Sequence, residues 1–130
     1  MKLLIKNTTI VTVNDQDQVL EHADLAVSGK NIVGVGKAPL DFIPDRVIDG
    51  KGKLVMPGLI NVHTHLSMTL MRNYADDLPF SDWLFKKIKP LEDHLLPEDV
   101  RFGAKLGIAE MIRGGTTCFH DMYFFMDEVA

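Results

Sequence analysis

The most informative part of this sequence is "PGLINVHTHLSM", residues 57–68. Its apolar run ends in two histidines, His63 and His65, with a single residue between them. On a helix the two rings would point to nearly opposite sides, whereas a β-strand, with its period of two, turns them to the same side. A nearly continuous apolar run is typical of a strand buried on both faces, as in a parallel sheet. The stretch therefore predicts a buried parallel strand that presents two imidazoles together.

A second strand is predicted further along, after a helix. "PEDVRFGAKLGIAEMIRGG", residues 97–115, has Pro97 at the first helical position and Gly114-Gly115 as a stop. One face of this helix is apolar, formed by Val100, Ala104, Ile108 and Met111. "TTCFHDM", residues 116–122, then predicts another buried strand, with Cys118 inside. A strand, a helix and a strand in this order indicate a βαβ unit and a parallel sheet.

The segment between the first strand and this helix predicts a shorter helix. "SDWLFKKIK" has Ser81 at the capping position, and the helix is expected to end before Pro90. Leu96 stands where the long helix needs a cap, although Ser, Thr or Asp would serve better there.

Residues 1–55 have a different pattern, of short β-branched segments separated by polar turns. "DLAVSGKNIVGVG" predicts a hairpin with its turn at residues 28–31. We expect a small antiparallel, sandwich-like β unit over residues 1–55 that acts as scaffold. Residues 56–130 would then form the first β/α units of an α/β domain.

Composition excludes several classes of protein. The chain has 130 residues, 46% of them hydrophobic, and a net charge of −4, with Lys and Arg scattered. These values are ordinary for a globular domain and argue against nucleic acid as a partner. A single cysteine, Cys118, excludes an internal disulfide and fits a reducing compartment. Without a signal-like or membrane-spanning segment, we expect a cytoplasmic protein with no membrane association.

The two histidines predict a metal site. In parallel α/β structures, ligands gather beyond the carboxyl ends of the strands, where His63 and His65 fall. Neutral imidazoles on one side of a strand can bind one divalent cation, with Zn²⁺ about 2.0–2.1 Å from each nitrogen. The alternative is that the two histidines are only hydrogen-bonded or solvated, because short motifs often match by chance.

The sequence "VMPGLINVHTH" resembles the first barrel strand of the amidohydrolase superfamily. The continuation "MRNYADDLPFSDWLFKKIKPLEDHLLPEDV" is similar to a narrower group, the 5′-methylthioadenosine/S-adenosylhomocysteine deaminases, close to hydrolases of triazines and guanine. The resemblance implies a metal-dependent (β/α)₈ barrel in which His63 and His65 are metal ligands. It implies one divalent metal, which we expect to be zinc, although iron and manganese accept the same ligands.

The resemblance also implies a reaction and two substrate contacts. A metal-activated water would deaminate a purine nucleoside thioether, with Trp83 beside the purine and Glu92 accepting hydrogen bonds from the ribose hydroxyls. From the residues alone, Trp83 could instead be a core side chain and Glu92 a solvated charge. His120 and Asp121 end the second predicted strand and receive no role.

The chain is too short for the implied barrel. A (β/α)₈ barrel takes about 250 residues, and residues 57–130 give room for about two βα units. We therefore expect the N-terminal portion of a longer deaminase, with no catalytic acid or base of its own. The alternatives are a related chlorohydrolase or triazine or guanine deaminase, and an inactive fragment. Strands built to be covered would also expose apolar surface and allow self-association.

Overall fold

A five-stranded sheet forms the first part of the chain, in a computed structural model that describes residues 1–130. The strands are β1 (Lys2–Val11), β2 (Val19–Ser28), β3 (Asn31–Gly36), β4 (Arg46–Asp49) and β5 (Leu54–Val55). They lie in the order β3-β2-β1-β4, and β5 also pairs with β1. The β2–β3 hairpin is confirmed, with its turn at Gly29 and Lys30. Ile10, Ala23 and Leu25 form the core of this part.

The prediction of an antiparallel sheet is wrong for two strands. β1, β2 and β3 pair antiparallel, whereas β4 and β5 both run parallel to β1. The physical reason is the connection after β3, which leaves one edge of the sheet and brings β4 to the opposite side of β1. A crossover of this kind permits parallel pairing, which a tight hairpin turn does not.

A βαβ arrangement forms the second part, and the parallel pairing predicted for it is confirmed. Strands β6 (Leu59–Thr64) and β7 (Thr116–Asp121) pair in parallel, and helix α3 (Pro97–Arg113) lies between them in sequence. Contacts divide the chain into two compact units, Met1–Pro57 and Gly58–Ala130. The chain is therefore a mixed α/β structure, as expected.

The predicted burial of these two strands is wrong. Ile60 and Val62 in β6 are 68% and 76% exposed, and Cys118 in β7 is exposed as well. A strand is buried only when layers cover both of its faces. In this unit β6 and β7 form a sheet of two strands, so apolar side chains remain open to solvent.

Helix α3 begins as predicted, and the structure explains its unusual cap. Leu96 has no side-chain acceptor, but the Asp99 carboxylate accepts a hydrogen bond from the Leu96 backbone N–H at 2.9 Å. Glu98 and Asp99 also place negative charge at the positive end of the helix. Asp99, in the first turn, thus satisfies one backbone N–H at the start of the helix although the capping residue is apolar.

The shorter helix differs from its prediction at both ends. Pro79, not Ser81, occupies the N-cap position, and the helical path continues through Pro90 as α1 (Phe80–Asp82), a π-helical segment (Trp83–Ile88) and α2 (Lys89–Glu92). Within an α-helix, a proline ring collides with the carbonyl four residues earlier. Here the preceding turn is widened, with the Lys89 N–H bonded to the Leu84 carbonyl, so the helix does not have to stop.

A 3₁₀ helix, Leu66–Met71, follows β6 and packs against α3. The Ser67 hydroxyl donates to the Val100 carbonyl at 2.8 Å, and Thr69 donates to the Gly103 carbonyl at the same distance. This packing fixes the backbone just after the two histidines. None of the helices has the length and apolar character that crossing a bilayer requires.

Candidate metal and substrate site

The two histidine rings lie together at the carboxyl end of β6. His63 is the fifth residue of the strand, and His65 follows its last residue. Their ring centroids are 5.0 Å apart and the ring planes meet at 80°. His63 is exposed and His65 is partly buried. The alternation of the strand thus brings the two imidazoles side by side, as the sequence predicts.

A backbone carbonyl fixes the tautomer of the neutral His65 ring. The His65 Nδ1 lies 2.6 Å from the Met122 carbonyl oxygen, just beyond β7. A carbonyl oxygen can only accept, so the proton of the neutral ring is on Nδ1 and the lone pair is on Nε2. Metal-binding histidines are commonly oriented in this way by the partner of their other nitrogen. His65 is therefore prepared to bind a cation through Nε2.

The spacing of the rings fits one shared cation. With a metal 2.0–2.1 Å from a nitrogen of each ring, two ligands in a tetrahedral arrangement have centroids roughly 5 Å apart. In addition, the buried Oδ2 of Asp121 has no hydrogen-bond partner, and nearby positive charge would lower the cost of burying it. The chain brings no third His, Cys, Asp or Glu to the same point. It thus offers two candidate ligands, where a catalytic zinc site uses three from the protein.

A cavity of about 450 Å³ lies beside His65, within the size range of small-molecule sites. It brings together three of the four predicted site residues, His65, Trp83 and Glu92. The rest of the wall is largely apolar and aromatic, formed by Met68, Phe80, Leu84, Ile88, Met122, Tyr123 and Phe124. Trp83 and Glu92 reach the cavity from the same helical segment. His63 does not line this cavity, and its ring lies next to the His65 ring.

Tyr123 is a site residue that the sequence reasoning missed. Its hydroxyl is buried in the wall shared with Glu92 and makes no hydrogen bond of good geometry there. Burial raises the pKa of this phenol most, the approach of its O–H to the Glu92 carboxylate raises that pKa further, and the charges of Glu92 and Asp121 add to the rise. The phenol therefore stays neutral and can donate to Glu92 or to a ligand. Its place two residues after a predicted parallel strand was the one signal that could have indicated it.

The sequence profile of the amidohydrolase family matches residues 54–130, more than half of the chain. The chain belongs to the amidohydrolase family.

Individual relatives fall within a narrower group. A 5-methylthioadenosine/S-adenosylhomocysteine deaminase of Acetivibrio thermocellus is 53% identical over 133 residues, covering 100% of this chain and 31% of that protein. The crystal structure of an adenosine deaminase from Xanthomonas campestris with bound zinc superposes with a TM-score of 0.90 at 44% identity, over 98% of this chain and 30% of the other.

A third similar protein has a different activity in its name. Atrazine chlorohydrolase TrzN from Arthrobacter aurescens TC1, complexed with zinc, gives a TM-score of 0.88 at 30% identity, covering 98% of this chain and 32% of that one. This chain spans about 30% of the length of the curated relatives that it matches. The similarity therefore covers almost all of this chain but a minority of each relative.

Proposed function

We propose that this chain contributes part of the active site of a metal-dependent deaminase acting on adenosine thioethers such as 5′-methylthioadenosine and S-adenosylhomocysteine. One observation carries the proposal: His65, with its Nε2 free and its ring beside His63, opens onto the same cavity as Trp83 and Glu92. The names of the similar proteins support the same reaction class.

In the proposed protein, residues 56–130 are the first β/α units of a (β/α)₈ barrel, and residues 1–55 belong to a β-rich domain. Further strands would then cover the exposed side chains of β6 and supply the remaining ligands and the catalytic acid and base. We place this protein in the cytoplasm, in keeping with its single cysteine.

His63 and His65 would hold the metal, for which zinc has the strongest support because two of the similar structures contain it. A divalent metal, when bound, lowers the pKa of water and so supplies a hydroxide nucleophile near neutral pH. His65 keeps its Nδ1 proton on Met122, so its ring orientation is maintained during the reaction. The apolar wall excludes water from the reacting base, and Trp83 gives the purine a flat surface to lie on.

Glu92 would select the nucleoside. A carboxylate can accept two hydrogen bonds at once, and the vicinal hydroxyls of a ribose supply two donors. Its position in the same cavity wall as Trp83 would place sugar and base on neighbouring parts of one helical segment.

The first test uses the complete gene product, prepared with zinc. We expect the wild type to release ammonia from 5′-methylthioadenosine. The His63→Asn and His65→Asn variants should lose nearly all of this activity and of the bound zinc. His94→Gln is a matched control, since His94 is exposed and outside the cavity lining. Full zinc content and full activity in the His65→Asn variant would contradict the proposed metal site.

The triazine hydrolases provide a second candidate function, because TrzN superposes almost as well as the adenosine deaminase. The Glu92→Gln variant distinguishes the nucleoside deaminase from the triazine hydrolase. Hydrogen bonds to charged groups contribute about 1.5–3 kcal/mol, so we expect KM for nucleosides to rise roughly 10- to 100-fold. Conversion of heterocycles without a ribose should be unaffected. Equal effects on both substrate types would remove the role given to Glu92.

A further inference from the structure

Asp121, at the end of β7, accepts hydrogen bonds from the backbone N–H of the residue after His65 and from that of the residue whose carbonyl faces the His65 ring. Its Oδ1 accepts a hydrogen bond from the Leu66 N–H at 3.1 Å and another from the Met122 N–H at 3.0 Å. Leu66 is the residue directly after His65, and Met122 supplies the carbonyl that accepts the Nδ1 proton. One carboxylate oxygen therefore ties the backbone of the histidine to the backbone of its acceptor.

This link joins parts of the chain that are far apart in sequence. The bond from Leu66 spans 55 residues and the bond from His65 to Met122 spans 57. Between the ends of β6 and β7, the Met122 N–H also lies 3.2 Å from the Thr64 carbonyl. The Leu66 N–H, by contrast, donates to Asp121 alone. Removal of the carboxylate would therefore release the His65 side of the link first.

We propose that Asp121 is a positioning residue for His65, which keeps the Nδ1–H on the Met122 carbonyl and so leaves Nε2 free for the metal. The inference rests on the proposed function for the identity of the ligand, but the hydrogen bonds exist without it. Asp121 touches neither the cation nor the substrate in this role. Its second oxygen, Oδ2, is buried and without a hydrogen-bond partner.

The test measures the tautomer of His65 directly. Two-bond ¹H–¹⁵N correlations of the ¹⁵N-labelled 130-residue chain distinguish Nδ1–H from Nε2–H imidazoles, and a His65→Gln variant assigns the signal among the five histidines. We expect the Nδ1–H form in the wild type. Asp121→Ala should give a mixture of tautomers, whereas Asp121→Asn keeps an acceptor oxygen and should keep the Nδ1–H form. An unchanged tautomer in Asp121→Ala would overturn the proposal.

The zinc affinity of the complete gene product provides the second readout. Loss of a group that orients a metal ligand typically weakens metal binding 10- to 100-fold, so Asp121→Ala should weaken zinc binding by about that factor. Asp121→Asn should weaken it less. Equal affinities for the wild type and Asp121→Ala would overturn the proposal. A complete wild-type protein that binds no zinc would overturn the metal site of the proposed function instead, while the tautomer still decides the role of Asp121.

A measurement on the wild type covers the case in which Asp121→Ala does not fold. A scalar coupling across the hydrogen bond between the Leu66 amide nitrogen and the Asp121 carboxyl carbon is expected, together with slow exchange of the Leu66 amide proton. Fast exchange of this proton without the coupling would overturn the proposal.

Discussion

At the scale of single residues, the site depends on polar atoms whose partners are few and specific. His65 has one fixed nitrogen and one free nitrogen, because the Met122 carbonyl can only accept. Tyr123 is the opposite case, a buried hydroxyl that makes no hydrogen bond of good geometry although the Glu92 carboxylate is near. A buried polar group without a hydrogen bond costs free energy, and such groups are often found where a ligand binds. The two residues thus provide a free lone pair on Nε2 of His65 and an O–H donor on Tyr123.

Replacement of Tyr123 by Phe is expected to leave the free energy of unfolding unchanged or to raise it by up to about 1 kcal/mol, because an unsatisfied hydroxyl is removed. The single tryptophan, Trp83, lies in the same unit, so its fluorescence during urea unfolding measures this change. Tyr74→Phe, at an exposed tyrosine, is the matched control. A loss of more than about 1 kcal/mol would mean that the Tyr123 hydroxyl has a partner.

The same tyrosine predicts a pH dependence. Since the folded state raises the pKa of Tyr123 above its ordinary value of 10.0, the unfolded chain releases this proton first as pH rises. Stability should therefore be unaffected by this group below about pH 10 and should fall above it. The fall should be smaller in Tyr123→Phe. Identical alkaline stability profiles for wild type and variant would contradict this assignment.

At the scale of elements, glycine allows α3 to approach the 3₁₀ helix Leu66–Met71. A Cβ on Gly103 would lie 2.6 Å from the Ser67 carbonyl oxygen and 2.9 Å from the Ser67 Cα, both backbone atoms. A Cβ on Gly107 would meet Leu66 Cδ2 at 2.7 Å. The close packing explains why the buried face of α3 includes Gly103 and Gly107 between its apolar residues. It also holds the backbone directly after His65.

Gly103→Ala should therefore destabilise the Gly58–Ala130 unit by about 1–3 kcal/mol, the usual cost of overpacking, even though alanine favours a helix more than glycine does. Gly114→Ala is the matched control, because a Cβ there has its nearest neighbour at 3.4 Å and the backbone is right-handed. Urea unfolding followed by Trp83 fluorescence compares the two. If Gly103→Ala were as stable as Gly114→Ala, the close contact would not be present in solution.

At the scale of the whole molecule, apolar surface remains uncovered on a sheet of two strands. Ile60 and Val62 are 68% and 76% exposed in β6, and the sheet has two open edges. Exposed apolar strands with unpaired backbone groups are the usual sites of strand-to-strand association. The surface that the sequence predicts to be core is therefore exposed apolar surface in this chain.

We expect the 130-residue chain to self-associate through this sheet, and the double variant Ile60→Thr, Val62→Thr to shift it towards monomer by an order of magnitude or more in dissociation constant. Threonine keeps the β propensity and removes part of the apolar area. Ile43→Thr is the control, since Ile43 is 78% exposed but lies outside any strand. Analytical ultracentrifugation gives the association constants. A wild type that remains monomeric at high concentration would contradict this prediction.

Much of the local structure was predictable because its causes lie within a few residues. The period of two places His63 and His65 side by side, Pro97 and the acidic first turn start α3, and the β2–β3 turn follows from Gly29. The short helix differs from its prediction at both ends, whereas α3 begins as predicted although Leu96 has no polar side chain. A π turn lets the helical path pass Pro90, and Asp99 replaces a polar cap at Leu96.

Sequence alone was therefore enough for the strand that carries the two histidines, the long helix after it and the family resemblance. The folded chain was needed to show which nitrogen of His65 is free, which residues share its cavity, and that Asp121 links the ends of β6 and β7. The difference lies in the range over which the interactions act. Steric and capping preferences act between near neighbours, whereas a bond across 55 or 57 residues exists only once parallel pairing has brought two strand ends together.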